Sequence, residues 1–144
     1  RRLLRVFSNI NPEHKARVWH LGEDFEQVAT RFLPQIPRPW PPLMRRIMQT
    51  MGITKSYRSD YDHYMLHIHD RMKADLAYQA SVPKERLELQ PGSTWVVCTD
   101  QVSHAALSGQ HMLEQSFILP VHAMLDPHKS PFAIINRVLA KQQR

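Results

Sequence analysis

Hydrophobic and polar positions alternate at the start of the chain. Over residues 3–10, Leu4, Val6, Ser8 and Ile10 fall on one face of an extended strand, and Arg5, Phe7 and Asn9 on the other, a face that Asn11 continues. Asn11-Pro12 ends that strand. A second short strand is predicted over 16–21. Gly22 then precedes a helix start in which Glu23 and Asp24 suit the positive end of the helix dipole. Phe25, Val28, Ala29, Phe32 and Leu33 repeat at helical spacing. Five prolines between 34 and 42 exclude regular structure there. A short basic helix over 43–51, closed by Gly52, comes next. A longer helix, capped by Ser59 or Asp60, runs to about Gln79 with Tyr61, Tyr64, Met65, Ile68, Met72 and Leu76 along one side.

From Pro91 the pattern returns to strands. Pro91-Gly92-Ser93 reads as a tight turn before the apolar strand that carries Trp95, Val96, Val97 and Cys98. His104 opens the next strand, and Ser108-Gly109-Gln110 reads as a hairpin turn into a last long strand ending at Pro120. The order predicts an α+β chain, with a helical insert at about 23–80, strands at about 87–121 and a C-terminal helix at about 131–141.

The 144 residues suffice for one domain with a modest core. No apolar run approaches the ~20 residues that span a bilayer, and the start lacks the apolar stretch of a signal peptide, so a cytoplasmic location is expected. The single Cys98 forms no internal disulfide and is expected as a buried free thiol. The net charge of +6 favours an anionic partner. Its basic residues are scattered, which ranks an anionic small molecule or lipid headgroup above nucleic acid. The chain opens with Arg inside a strand pattern, so it is expected to be a piece of a longer protein.

Two histidine groups invite metal chemistry. His63 and His67 are spaced to share a helix face, but Tyr64, Met65 and Leu66 separate them, with no catalytic glutamate. His69-Asp70 has the wrong spacing for a chelating pair, and a solvated or packing face is the better reading of this group. His104 is different. A histidine near a strand start, after a Pro-Gly turn and an apolar strand, is how iron oxygenases present one of two histidines that join a carboxylate on iron(II). The bland alternative is a barrel histidine bonded to a neighbour. No His-x-Asp or His-x-Glu occurs in the chain to supply the other ligands.

Four segments make a more specific match. Arg5 to Pro12, Gly52 to His63, His69 to Asp75 and Thr99 to Pro120 together resemble the Kdo hydroxylase family. The resemblance implies a bacterial iron(II)/2-oxoglutarate dioxygenase that uses O2, with ascorbate supportive, and acts on 3-deoxy-D-manno-oct-2-ulosonic acid (Kdo) in the lipopolysaccharide inner core. It implies part of a double-stranded β-helix (jelly-roll) core with a helical insert, here the C-terminal portion of a single dioxygenase domain over 1–144. By resemblance His104 is the distal iron ligand, and the proximal pair is expected upstream of Arg1. The implied partner is a Kdo-containing lipid A precursor, with no nucleic acid.

The cosubstrate clamp departs from the common pattern. An arginine or lysine about ten residues beyond the distal histidine is usual, but Glu114 and Gln115 stand there. Arg5 is the expected source of charge, with Asn9 on its face and Gln115 expected to point inward as a hydrogen-bond donor. Lys55, Tyr57 and Arg58 form a basic-aromatic patch suited to the Kdo carboxylate or a lipid phosphate. The helix over 43–51, with Arg45 and Arg46, could rest on an anionic membrane at the periphery of the inner membrane, although a packed helix is the favoured expectation. The isolated chain is expected to be inactive, since one imidazole does not hold iron(II) against water. The rival readings are a metal-free cupin-like module for an anionic sugar and, further off, a nucleic-acid-binding domain.

Overall fold

The alternating segment at the start forms β1 (Arg2–Asn9), the middle strand of an antiparallel sheet whose neighbours are β4 (Thr94–Cys98) and β6 (Met112–Leu119). A computed structural model describes residues 2–53 and 59–142. A second antiparallel sheet places β2 (Arg17–Asp24) between β3 (Glu85–Leu89) and β5 (Val102–Ser108). The expected face of β1 packs between the sheets. Phe7 is buried, stacks on Trp95 of β4 at 5.4 Å and meets the edge of Trp19 of β2 at 5.2 Å. These rings join the two sheets, and the chain crosses between them from β1 to β2, β3 to β4, β4 to β5 and β5 to β6, while β2 and β3, separated by the helical insert, pair within one sheet.

That crossing corrects the hairpin expectation. The turn at 108–110 does not pair β5 with β6; β5 pairs with β2, and β6 with β1. Gly109 adopts φ 113° there, and a Cβ would lie 2.9 Å from Arg17 Cα, so the turn needs glycine for both conformation and space. The second strand also runs further than expected. Gly22, Glu23 and Asp24 remain in β2, and Asp24 caps the helix α1 (Phe25–Phe32) by accepting the Gln27 N–H at 2.9 Å. Gly22 packs closely against β5: a Cβ there would stand 2.4 Å from Ser103 Oγ, so that hydroxyl would have to turn away.

Between β2 and β3 lie α1, α2 (Pro42–Thr50), α3 (Asp60–Ala74) and α4 (Leu76–Ser81), with a 3-10 turn at 33–35 and an irregular proline segment before α2. The long helix expected to reach Gln79 is two helices. Asp75 turns extended and its carboxylate accepts the Tyr78 N–H at 2.8 Å, capping α4. Leu76, expected on the apolar stripe, is therefore 78% exposed. The insert packs with α5 (Pro131–Lys141), and Phe25, Val28, Phe32, Leu33, Tyr64, Ile68, Tyr78, Ile134, Ile135 and Val138 form one buried core. Each fully buried aromatic or aliphatic side chain there contributes roughly 1.5–3 kcal/mol. The expectation of a packed α2 fails: none of its residues is buried, and Leu43, Met44 and Ile47 face solvent. Cys98 is half-buried rather than enclosed.

Candidate metal and cosubstrate site

His104 is the third residue of β5, opposite Leu21 and on the same face as Trp19. Its ring stacks on the Trp19 indole, with centroids 5.4 Å apart and planes 21° from parallel. Nδ1 lies 3.0 Å from the Val102 carbonyl oxygen, which can only accept, so the Nδ1–H donates. That fixes the tautomer and leaves the Nε2 lone pair for a metal, the usual way a protein orients an imidazole ligand. The side chain is exposed. Among the described residues no group of three histidine, cysteine or acidic side chains could hold an ion. His104 thus fits one ligand position. His63 and His67 do not form a second centre: their rings touch at 4.4 Å and His63 Nε2 donates to the Pro37 carbonyl at 2.9 Å.

Among the described residues, several donors on the inner faces of the two sheets are buried without an acceptor. Arg5 shares its strand face with Phe7, and its Nη1 pairs with Glu114 Oε1 at 3.3 Å. Ser116 donates to the same Glu114 oxygen at 3.0 Å. Arg5 Nε, Trp19 Nε1 and Trp95 Nε1 are buried without a hydrogen-bond partner. An unpaired buried donor costs about 1–3 kcal/mol, so this wall suits a ligand bearing carboxylate or carbonyl oxygens. Arg5 is the cation of this wall, and its Nε has no hydrogen-bond partner among the described residues.

The other expected cosubstrate residues do not join it. The Asn9 amide donates to the Lys15 and Leu89 carbonyls at 3.1 and 2.9 Å, and its oxygen accepts the Asn11 N–H at 3.1 Å. Both donors are spent on holding strand ends. Gln115 pairs with Val6 across the ladder, so it lies on the opposite face from Arg5 and is exposed, against the inward expectation. Glu114 and Ser116 take the inner positions instead. Lys55, Tyr57 and Arg58 lie outside the described residues.

Just beyond β4, Asp100 is buried. Its Oδ2 accepts the Leu3 N–H at 3.1 Å and its Oδ1 lies 3.7 Å from Arg2 Nε. Burial pushes its carboxyl above the usual range despite those two favourable contacts. Tyr78 donates its hydroxyl to Glu23 at 3.0 Å, and burial with that bond pushes the phenol up to about 12.

The family model for 3-deoxy-D-manno-oct-2-ulosonic acid (Kdo) hydroxylase matches residues 1–142. The chain belongs to the Kdo hydroxylase family. Solved structures agree at the level of the whole fold. The Kdo hydroxylase KdoO, a non-haem Fe(II) α-ketoglutarate-dependent dioxygenase, is 49% identical, with a TM-score of 0.88, in complexes with succinate and Fe(III) and with α-ketoglutarate and Fe(III). In each case 96% of this chain is covered and 47% of the solved chain. A cobalt(II) complex of KdoO matches equally well. The chain thus spans about half the length of its solved relatives, and its fold is a jelly roll with helical elements. No curated protein sequence matches significantly.

Proposed function

We propose that this chain is the C-terminal portion of an iron(II)/2-oxoglutarate dioxygenase domain that hydroxylates Kdo, in a Kdo-containing lipid A precursor of the lipopolysaccharide inner core, to its 3-hydroxy form. The observation that carries the proposal is His104: stacked on Trp19, fixed in tautomer by Val102, and set beside a wall of unpaired donors. Bound iron(II) with 2-oxoglutarate and O2 supplies the oxidising power that replaces C–H by C–OH, leaving succinate and carbon dioxide.

The residues of this chain do the rest. His104 offers Nε2 to the metal while Trp19 keeps the ring from turning. Arg5 neutralises one cosubstrate carboxylate, and Glu114, steadied by Ser116, keeps the guanidinium extended along the barrel wall. Phe7, Trp19 and Trp95 exclude water on their side and so strengthen each polar contact. One imidazole does not retain iron(II), so the isolated chain is inactive.

The exposed apolar side chains Trp40, Leu43, Ile47 and Met51 around α2 support peripheral contact with the anionic inner membrane from the cytoplasm, where the lipid substrate is met. The test is turnover by the complete polypeptide on a Kdo-containing lipid with iron, 2-oxoglutarate and ascorbate. Hydroxylated Kdo and matching succinate are the expected products. Full activity after His104→Ala would sink the assignment.

A further inference from the structure

The sheet that presents His104 turns one face toward the barrel. Trp19 of β2 meets Phe7 and Trp95 on that face, and Leu21, two residues on, shares it. Leu21 has two partners in the ladder, His104 on β5 and Glu85 on β3. Residues directly opposite one another in a ladder point the same way, so His104, Leu21 and Glu85 form one row across the inner face. Neighbouring strands lie about 4.8 Å apart, which sets the His104 and Glu85 backbones roughly 10 Å apart.

Glu85 breaks the pattern of its strand. The other inward positions of β3 are Leu87, opposite Trp19, and Leu89, opposite Arg17, and both are half-buried. The outward acid, Glu88, is paired with Arg86 at 2.8 Å. The inward acid has no side-chain partner among the described residues. As the first residue of β3 it stands open to solvent, in the same row as His104. A charged, unpartnered side chain where alternation calls for an aliphatic one is a local inconsistency, and such departures concentrate at functional sites.

We infer that Glu85 binds the sugar of the substrate by accepting hydrogen bonds from its hydroxyl groups, across Leu21 from the metal-ligand histidine. This rests on the hydroxylase reading and adds a substrate-recognition residue to it. Two strand spacings, about 10 Å, leave room for one sugar ring over Leu21 with a side chain reaching in from either end. A carboxylate presents two acceptor oxygens and no donor, which suits a polyol rich in O–H groups. Hydrogen bonds to an ionised acceptor are also the stronger kind. The same charge repels the sugar's own carboxylate, so a ring turned end for end is rejected.

The test uses the complete polypeptide, a Kdo-containing lipid A precursor, and analogues of that lipid each lacking one Kdo hydroxyl. Glu85→Ala should raise KM for the lipid about tenfold or more, as loss of a charged hydrogen bond does. Glu85→Gln, which keeps one acceptor oxygen, should recover part of the loss. The 2-oxoglutarate affinity, read by calorimetry, and the urea midpoint should be unchanged, because the carboxylate belongs to neither the Arg5 wall nor the buried core. Glu88→Ala, on the outward face of the same strand, should leave KM within about twofold. At least one deoxy analogue should bind wild type weakly and lose nothing further in Glu85→Ala. An unchanged KM in Glu85→Ala, an equal loss in Glu88→Ala, or the full further loss with every deoxy analogue overturns the inference. If wild type hydroxylates no Kdo lipid, the hydroxylase reading has failed. Calorimetry of free Kdo against the wild type and Glu85→Ala then decides the recognition role separately: weaker binding by the variant supports it, and equal or absent binding overturns it.

Discussion

In the helical layer, Ala29, Phe32 and Leu33 are at most 1% exposed, and among the described residues no core side chain of the layer has a fully buried polar atom without a hydrogen-bond partner. Across β2, the barrel interior is built differently. His104 is exposed, Arg5 keeps a third of its side chain in solvent, and the buried Arg5 Nε, Trp19 Nε1 and Trp95 Nε1 have no hydrogen-bond partner among the described residues. One region has settled its polar accounts and excludes water. The other keeps donors without acceptors, a cost that a folded protein carries where a ligand will supply the missing oxygens. The difference separates the scaffold from the site within a single domain.

The sharpest way to break this contrast is to truncate one residue on each side. Phe32→Ala should destabilise the protein by about 3–5 kcal/mol in urea unfolding, since the closed core cannot collapse onto the gap. His104→Ala should do the reverse. Turnover should fall by more than about a hundredfold, because outer-sphere partners of metal ligands alone are worth 10–100-fold. Its unfolding midpoint should stay close to wild type, as the ring is exposed. A large stability loss in His104→Ala would make it a structural histidine.

Next in size is Arg5. Arg5→Ala should weaken 2-oxoglutarate binding by about ten- to a hundredfold in calorimetry, as the loss of a charge-assisted pair requires. Arg5→Lys should recover only part of this, because a lysine lacks the planar fork and its Nε–H. If both variants bind the cosubstrate like wild type, its carboxylate is held elsewhere, and the unpaired donors of the barrel need another occupant.

Much of this division was legible in the sequence. Alternation located β1 and its inner face, helical spacing located the apolar stripe of α1, and Ser130-Pro131 opens α5 where the pattern placed it. The turn, strand and histidine around His104 stood out because they are local. What stayed hidden depends on distant partners. A turn at 108–110 reads the same whether its strands pair with each other or with different sheets. The facing of Gln115 follows from its register against Val6, more than 100 residues away, and a one-residue shift reverses it. Glu114 was visible at that distance but received no role because a positive charge was sought there, whereas it pairs with Arg5 on a neighbouring strand.

A smaller effect tests how well the helical layer is satisfied. Tyr78→Phe removes the hydroxyl that donates to Glu23 and should cost about 0.5–1.5 kcal/mol, the usual net value of such a bond. With the phenol held near 12, wild type should show no tyrosinate absorbance from this residue at pH values where exposed tyrosines near 10 ionise. Early ionisation of Tyr78 would mean that the layer admits water.

Asp100 sits at the border between the two regions and gives the smallest and most discriminating test. Its carboxyl is raised chiefly by burial, with the Leu3 N–H and Arg2 opposing. A carboxyl raised above its unfolded value binds its proton more tightly in the folded state. The resulting stabilisation is complete below the unfolded pKa of about 4 and is lost as pH rises through the higher folded value. Asparagine keeps an oxygen for the Leu3 N–H and carries no charge to desolvate. Asp100→Asn should therefore gain on wild type as urea unfolding moves from about pH 3 to neutrality, and the two should converge again in acid. The opposite trend, with the variant falling behind as pH rises, would mean that the Arg2 pair at 3.7 Å outweighs burial. Asp100 would then belong with the satisfied scaffold, and the boundary of the unsatisfied region would move inward to Arg5.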